Sequence, residues 1–255
     1  RCDIMAGIQF KGGKLHGASE AKAIIRHACA DERTQHEHSN KDIDISRTGQ
    51  NTDLHGLSYQ QMCDAYDKKM TFYKTNNGRK LRSDAVTLFD LVITTPRDLP
   101  KDPAVEDAWY RDVELVINRH YGADVVLDIK IHRDEVHEYT DPSTGQKTMS
   151  RTHGHCFVFP EVDMRLNAYK FSSRKNITSL NREVDAMTRE KYNCRYMTGD
   201  KVVDRKWQTV EQLKKSSDAA AIEKRALDAE RVLQSQPAVK AMAEAGERAK
   251  QPVDA

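Results

Sequence analysis

The sequence predicts an α+β fold for residues 1–205 and a charged helical extension for residues 206–255. The predicted order is strand–helix–helix–strand–helix–strand–strand–helix, and the adjacency of the last two strands favours an antiparallel pair. From Trp207 to Lys250 the residues Ala, Lys, Glu, Arg and Gln dominate, which is typical of a long exposed helix or a coiled-coil arm. The apolar heptad pattern there is weak, so the sequence leaves open whether two chains form a homodimer through this helix.

The first half of the domain is predicted to contain one strand and two helices. Ile4–Phe10 is apolar and precedes a glycine-containing turn, as in an edge strand. Ser19–Arg33 predicts a helix that Ser19 can cap, whereas residues 38–51 are polar without a period and indicate a loop. Ser58–Tyr73 predicts the second helix. Three of its residues are spaced by seven and lie near one face: Tyr59, Tyr66 and Tyr73.

The second half is predicted to contain three strands and two helices. Ala85–Thr95 predicts a strand near the core, and Pro103–Tyr121 a helix with proline in its first turn. Asp124–His132 predicts a strand, and after a polar insert with a turn at residues 141–145 come the strand His153–Phe159 and the helix Ile177–Asn193. Alternation in the first of these strands puts Leu127, Ile129 and Ile131 on one face and Val126, Asp128, Lys130 and His132 on the other.

Charge, hydropathy and cysteine usage limit the function classes. The 41 Lys+Arg nearly balance the 39 Asp+Glu and give a net charge of +2, so a nucleic-acid partner would need a local basic surface. No apolar run approaches the roughly 18 residues of a membrane span, and no charged-then-apolar leader is present. We therefore expect a cytoplasmic protein without a membrane partner. The five cysteines are widely spaced and form no CxxC, which argues against a disulfide framework and a cysteine-based zinc site.

The strongest chemical signal is His132-Arg-Asp-Glu135 followed by His153-Gly-His155. Residues two apart in a strand share a face, so His153 and His155 project together, and a hairpin through the insert can bring His132 beside them. Three imidazoles from two strands can hold a divalent metal, and Glu135 can orient a ligand or move a proton. Imidazoles alone do not choose between Zn, Mn, Fe, Co, Ni and Cu. The alternative that these histidines only line a sheet surface stays open.

Further segments extend this signal along the chain. They are His38-Ser-Asn-Lys-Asp-Ile43 with Asn51 downstream, Asp84-Ala-Val86 leading into Val92-Ile-Thr-Thr95, and Tyr121-Gly122. In order with the histidine segments, over about residues 4–200, they resemble the Mob/Pre family, the MobV-type plasmid mobilisation relaxases.

The resemblance implies an HUH-type endonuclease fold, in which helices flank an antiparallel sheet bearing the metal ligands His132, His153 and His155. It implies an enzyme that nicks and rejoins one DNA strand at a plasmid or mobile-element transfer origin by metal-assisted transesterification. Mn²⁺ or Mg²⁺ is the implied cofactor, and a single-stranded or hairpin region of the origin is the implied partner. A protein nucleophile would stay joined to the 5′ end of the nicked strand.

The sequence departs from the family pattern between Glu135 and His153. Family members usually have the second histidine soon after the glutamate, whereas seventeen residues intervene here. An inserted hairpin leaves the two strand ends paired, so we expect the site to survive. Lys147 and Arg151 near the insert are candidate DNA contacts.

The resemblance also implies a histidine nucleophile in a His–Asn–x–Arg type motif on an N-terminal helix. The nearest match is His27 with Arg33, where the spacing is six rather than three and Ala28 replaces the asparagine. We expect His27 to be the nucleophile, since imidazole can attack phosphorus when its other nitrogen is held by an acceptor. Arg33 is expected to hold the phosphate.

Other assignments of the nucleophile remain open. With the family's shorter spacing, Ala30 falls at the nucleophile position, which would leave a protein that binds DNA without cutting it. Further candidates are His36, His38, Tyr59 and Tyr66, although the heptad spacing of the tyrosines fits core packing better.

A basic stretch with interspersed asparagines is the candidate DNA surface, because Lys and Arg neutralise phosphates and Asn reads base edges. Its residues are Asn40, Lys41, Arg47, Asn51, Lys68, Lys69, Arg79, Lys80 and Arg82. A second basic segment, Arg165–Arg182, offers Tyr169 and Phe171 for base stacking.

Three functions fit these features. The leading interpretation is a relaxase that forms a covalent intermediate through a histidine. The alternatives are a non-catalytic origin-binding protein of the same fold and a metal-dependent phosphodiester hydrolase that activates water. A covalent protein–DNA adduct separates the first from the other two.

Overall fold

A computed structural model of the chain describes residues 13–33, 35, 42–76, 80–122, 125–140 and 146–196. The chain forms two compact units. The larger comprises Ile4–His137 and Ser150–Val202, and of the smaller the structure describes residues 138–140 and 146–149. The predicted strand Ile4–Phe10, the turn at residues 141–145 and the helical extension 206–255 lie outside the described residues.

The larger unit contains a five-stranded antiparallel sheet. Its strands are β1 (Lys14–Leu15), β2 (Thr52–Asp53), β3 (Leu88–Thr94), β4 (Val126–His132) and β7 (His153–Val158). A short hairpin of the same unit pairs β8 (Glu161–Val162) with β9 (Arg165–Leu166). In the smaller unit, β5 (Glu138–Thr140) pairs with β6 (Lys147–Met149). The order in the sheet is β1–β3–β7–β4–β2. The predicted antiparallel pairing of the last two long strands, β4 and β7, is confirmed.

Six helices are found in the described part of the chain. They are α1 (Ala18–Ala28), α2 (Ala30–Arg33), α3 (Tyr59–Asn76), α4 (Pro103–Tyr121), α5 (Ala168–Ser172) and α6 (Arg174–Tyr192). The α+β class is therefore confirmed, and α4 has the predicted bounds. The single helix predicted over Ser19–Arg33 is instead broken at Cys29, whose φ of −79° and ψ of 125° are extended. None of these helices has both the length and the apolar character that a membrane-spanning segment requires.

The two faces of the sheet are covered by different helices. Ile129 and Cys156 belong to the buried cluster that includes Trp109 and Tyr110 of α4. Phe157, from the opposite face, packs in a second cluster with residues of α1 and α3. Burial of apolar surface on both faces makes the sheet a rigid base for side chains at its polar end.

A β-bulge modifies the predicted alternation in β4. The register with β7 shifts between Val126 and Asp128, so that Val126 joins the cluster with α4 and Leu127 the cluster with α1 and α3. The predicted faces of Val126 and Leu127 are therefore wrong, because a bulge inserts one residue and reverses the alternation on one side of it. Ile129 and Ile131 share a face as predicted.

Candidate metal and catalytic site

The pairing of β4 with β7 brings three histidines together on one face of the sheet. His132 lies opposite His153, and Lys130 lies opposite His155. The ring centroids are 5.3 Å apart for His132 and His153, 4.8 Å for His132 and His155, and 5.5 Å for His153 and His155. The three rings therefore border one small volume.

Gly154, between the two histidines of β7, faces the opposite side of the sheet. A Cβ atom there would lie 2.7 Å from Cε1 of Tyr110 and 3.2 Å from Cγ2 of Ile129. The absence of a side chain therefore allows β7 to approach α4 closely. In the His-Gly-His sequence the two histidines supply side chains to the site on one face, and the glycine allows close packing on the other.

Glu135 and His27 complete this cluster. Oε1 of Glu135 lies 3.2 Å from Nδ1 of His132 and 3.4 Å from Nε2 of His27, and Oε2 lies 3.6 Å from Nε2 of His153. His27 is in the last turn of α1, with its ring centroid 6.0 Å from that of His132 and 5.6 Å from that of His155. One ligand atom from each of His27, His132, Glu135 and His155 lies within 4.8 Å of the others.

Hydrogen bonds orient the two buried histidines. Nδ1 of His155 lies 2.9 and 3.0 Å from the carboxylate oxygens of Asp90 on β3, to which it donates as N–H, so Nε2 keeps the free lone pair. Nε2 of His132 donates to the carbonyl of Ala28 at 2.9 Å, which leaves Nδ1 as its acceptor. These tautomers follow from the bonding partners. Contacts of this kind orient metal-binding histidines.

The sequence did not single out Asp90, although a signal was present. It is a carboxylate inside the apolar run Leu88–Thr94, and an acidic residue in such a buried strand requires a polar partner.

Burial and charge shift the pKa values of these groups in different directions. Burial lowers the pKa of His132 well below its ordinary value, although the nearby Glu135 carboxylate opposes this shift. For His155, burial is outweighed by the charge of Asp90 and the bond to it, and the pKa is raised. For Glu135, burial opposes ionisation, but its contacts with His132 and His27 and the charge of His153 outweigh it and lower the pKa. Glu135 is therefore a carboxylate at neutral pH.

Arg33 lies beneath the cluster rather than at its surface. Its side chain has no exposed area and donates to Asp134 Oδ1 at 2.7 Å, Glu135 Oε1 at 2.5 Å and the carbonyl of His27 at 3.1 Å. Its Nη2 also lies 2.7 Å from Nδ1 of His132. We expected Arg33 to bind the phosphate, but protein groups surround its guanidinium instead. Arg33 therefore holds the carboxylates of Asp134 and Glu135 and the end of α1 in place.

The polar segment before α3 borders the same site. Predicted as a loop, it contains a 3₁₀ helix, Ile45–Gln50, capped by the side chain of Asp44. Ile43 bridges to Glu135, and Thr48 donates to Asp134 at 2.9 Å. Asn51 Oδ1 accepts from the backbone N–H of Arg133 at 2.7 Å, so this candidate DNA contact has a structural partner.

The two tyrosine candidates for the nucleophile have other partners. The hydroxyl of Tyr66 is buried 2.8 Å from that of Thr87, and the hydroxyl of Tyr59 accepts from Arg26 at 3.2 Å. Both tyrosines are on α3, and the expectation that they pack rather than react agrees with these contacts. His36 and His38 lie outside the described residues.

The candidate DNA residues differ in their surroundings. Lys68 and Lys80 are exposed, Lys69 pairs with Glu161 at 2.6 Å, and Arg82 forms two bonds with Asp84. Arg47 is half-buried beside Gln50. Asn40, Lys41 and Arg79 lie outside the described residues.

The two aromatic residues proposed for base stacking differ in their exposure to solvent. Phe171 is 1% exposed and stacks on Tyr121 with ring centroids 4.2 Å apart, so its predicted role is wrong. It closes the core between α4 and α5. Tyr169 is 82% exposed and remains a candidate.

The curated proteins that this chain resembles are plasmid recombination enzymes. Plasmid recombination enzyme type 1 of Staphylococcus aureus is 27% identical over 210 residues, which cover 80% of this chain and 47% of that protein. The type 3 enzyme of Mammaliicoccus lentus is 28% identical over 124 residues, covering 48% of this chain and 29% of that protein. The chain thus spans less than half the length of these curated relatives.

Solved structures of a relaxase domain share the fold. The MobM relaxase domain (MOBV; Mob_Pre), Mn-bound and in complex with oriT DNA of plasmid pMV158, has a TM-score of 0.63 and 20% identity. The match covers 82% of this chain and 96% of that one. A second Mn-bound complex of the same domain gives a TM-score of 0.61 at 21% identity. The predicted fold of helices flanking an antiparallel sheet is confirmed.

The family is established by a sequence model that covers most of the chain. The model is described as plasmid recombination enzyme, and it matches residues 12–215. The resemblance deduced from the histidine segments is thereby confirmed, and the chain belongs to the Mob_Pre family of plasmid recombination enzymes.

Proposed function

We propose that this chain is the relaxase domain of a plasmid recombination enzyme, which nicks and rejoins one strand of a transfer origin. The observation that carries the proposal is the position of His27 beside Glu135 and the clustered histidines of β4 and β7. Family membership and the oriT-bound, Mn-bound state of the solved relatives support it.

We infer that His132, His153 and His155 hold a divalent metal with help from Glu135. The donor set fits, because the bonds to Ala28 and Asp90 leave Nδ1 of His132 and Nε2 of His155 without a proton, although Nη2 of Arg33 lies 2.7 Å from the former. Three imidazoles beside one carboxylate favour Mn²⁺ over Mg²⁺, which prefers oxygen ligands. When bound, such an ion polarises a phosphoryl oxygen as a Lewis acid.

In this proposal His27 is the nucleophile. Glu135 lies 3.4 Å from Nε2 of His27 and can accept its proton, which makes the other ring nitrogen nucleophilic. A P–N bond forms between His27 and the scissile phosphorus while the bond from phosphorus to O3′ breaks. The O3′ oxygen takes up a proton and leaves as a hydroxyl, and rejoining reverses these steps. Arg33 pairs with Glu135 at 2.5 Å and donates to the carbonyl of His27 at 3.1 Å, which fixes the backbone there.

We propose DNA contacts on the exposed cations of α3 and the segment after it. Lys68 and Lys80 are exposed, and the ion-paired Lys69 and Arg82 can exchange a carboxylate for a phosphate. Arg47 belongs to the 3₁₀ helix that begins two residues after Ile43, which bridges to Glu135. Asn40, Lys41, Asn51 and Arg79 complete the proposed set.

The test is covalent capture of DNA. The unmodified chain is incubated with Mn²⁺ and supercoiled plasmid carrying its own origin, and a protease-sensitive protein–DNA adduct is expected. His27→Ala should abolish the adduct while origin binding is nearly unchanged, because it removes chemistry and not phosphate contacts. His55→Ala, a histidine paired with Glu114 outside the cluster, is the matched control and should keep the adduct.

Two outcomes would contradict the proposal. Free 5′-phosphate ends without an adduct would indicate a metal-dependent hydrolase. Specific origin binding with neither nicking nor adduct would indicate a non-catalytic origin-binding protein.

A further inference from the structure

We propose that His27 is itself a ligand of the metal ion in the DNA-free protein, so that the site rests in a closed form that DNA must open. The inference depends on the proposed function, because it concerns the metal site and the nucleophile assigned there. It adds a second, earlier role for the same imidazole.

The distances between the candidate ligand atoms carry the inference. One atom from each of His27, His132, Glu135 and His155 lies within 4.8 Å of the other three. Four ligands at about 2.0–2.2 Å from one ion are separated from each other by about 3–4.4 Å. The four groups therefore match the shell of a single ion with small movements. His153 stands outside this set, with its Nε2 3.6 Å from the second carboxylate oxygen of Glu135.

The surroundings of His27 allow it to enter and leave this shell. Its backbone is fixed, since its carbonyl accepts from Arg33 at 3.1 Å and α1 ends one residue later. Its side chain is 31% exposed, whereas that of His132 is 1% exposed. A half-exposed ring on a fixed backbone can rotate toward solvent without moving the helix. The buried histidines of the strands have no such freedom.

Coordination and nucleophilic attack exclude one another at a single nitrogen. A neutral imidazole has one nitrogen with a free lone pair, and a metal-bound lone pair cannot attack phosphorus. On this inference a phosphate oxygen of the DNA would take the place of His27, and His153 would join His132, His155 and Glu135 in holding the ion. Entry of DNA would thus release the nucleophile at the place where it is needed.

Metal binding without DNA tests the inference directly. Isothermal titration of Mn²⁺ into the full chain is compared for the unmodified protein, His27→Ala, His155→Ala and the control His55→Ala. His27→Ala and His155→Ala should each weaken Mn²⁺ binding by at least about 10-fold, while His55→Ala leaves it unchanged. His27→Gln, of similar size, and a thermal melt in EDTA separate loss of a ligand from loss of folding.

A chemical footprint provides a second readout that a purely structural role would not move. Diethyl pyrocarbonate modifies imidazoles with a free lone pair, and mass spectrometry reports the modified fraction of His27. Mn²⁺ should slow modification of His27 by at least about 10-fold in the unmodified protein, and His155→Ala should remove this protection.

The outcomes distinguish this inference from the proposed function. Should His27→Ala and His27→Gln bind Mn²⁺ as tightly as the unmodified chain while His155→Ala does not, the inference is overturned and the metal site stands. Should His132→Ala and His155→Ala also bind Mn²⁺ normally, the proposed metal site itself fails.

Discussion

At the scale of single residues, a carboxylate and a backbone carbonyl determine which nitrogens of the two buried histidines can bind a metal. Asp90 fixes the proton of His155 on Nδ1, and the carbonyl of Ala28 fixes that of His132 on Nε2. Both acceptors come from elements outside the β4–β7 pair. The geometry of the site therefore depends on β3 and α1 as well as on the strands that carry the histidines.

We expect Asp90→Asn to weaken Mn²⁺ binding by about 10–100-fold, since an amide orients the imidazole of His155 less firmly and lowers its basicity. The change is nearly isosteric, so the thermal midpoint in EDTA should move little. Isothermal titration provides the affinity. Asp67→Asn, which removes an exposed pair with Lys22, is the control. An unchanged Mn²⁺ affinity in Asp90→Asn would show that His155 needs no support from β3.

Sequence periodicity accounts for part of this site and misses the rest for a physical reason. The two-residue spacing predicts that His153 and His155 share a face, and a hairpin through the insert predicts that His132 lies beside them. Both predictions succeed because they depend only on local spacing and on one strand pair. The bond of Asp90 to His155 spans 65 residues and that of Arg33 to Asp134 spans 101. Neither bond produces a periodic pattern in the sequence, so Asp90 was not identified and Arg33 was expected to hold the phosphate.

At the scale of elements, the strand β7 is held between the site and α4. Tyr110 packs against Gly154 and donates through its hydroxyl to the carbonyl of Ile93 at 2.8 Å. The ring is therefore anchored and cannot withdraw from β7. Sequence patterns predicted the bounds of α4, because the proline in its first turn is a local signal, but they did not predict the β4 bulge, which depends on the partner strand.

We predict that Gly154→Ala lowers the free energy of unfolding by about 1–3 kcal/mol, since the added methyl overpacks against the anchored ring. It should also weaken Mn²⁺ binding, because β7 must shift with both of its histidines. Denaturant unfolding and titration measure the two effects. Gly49→Ala is the matched control, as a Cβ there meets nothing within 4 Å. Equal stability of the two variants would contradict the close approach of β7 to α4.

The β8–β9 hairpin is attached to α3 by one carboxylate. Glu161 accepts from Lys69 at 2.6 Å and from the hydroxyl of Tyr73 at 2.5 Å. Burial opposes ionisation, but these two bonds outweigh it and lower the pKa of Glu161. A carboxyl group with a lowered pKa stabilises the folded state above its unfolded pKa, and this contribution is lost as pH falls through the folded pKa.

We therefore expect Glu161→Gln to reduce the free energy of unfolding by about 0.5–1 kcal/mol at pH 7. The difference from the unmodified protein should shrink as pH falls below about 4.3, the ordinary pKa of glutamate. Urea unfolding at pH 7 and at several lower pH values measures it. Glu190→Gln, which replaces an exposed glutamate of α6, is the matched control. A difference that grows toward low pH would contradict the assigned sign.

At the scale of the whole molecule, the insert between β4 and β7 is the segment that we expect to depart most from the family pattern. Its base is closed before the insert begins, because Ser150 N–H donates to the carbonyl of His137 at 2.8 Å and His137 N–H donates to Ser150 Oγ at 3.0 Å. Glu138–Met149 belongs to the smaller compact unit. The pairing of His132 with His153 is set by the sheet, in which β3 and β4 flank β7.

We predict that replacing Glu138–Met149 by a two-residue Asn-Gly turn leaves Mn²⁺ affinity unchanged and the thermal midpoint within a few degrees. Such a turn connects adjacent antiparallel strands directly, and His137 and Ser150 already stand in the required relation. DNA binding is expected to respond differently, because the replacement removes Lys147. If Lys147 contacts a phosphate, the log–log dependence of affinity on salt should become shallower by about 0.7–0.9. Lys147→Ala in the full chain is the matched control and should give the same change in slope. A loss of Mn²⁺ affinity on removing the insert would mean that the insert, and not the sheet alone, holds the histidines in register.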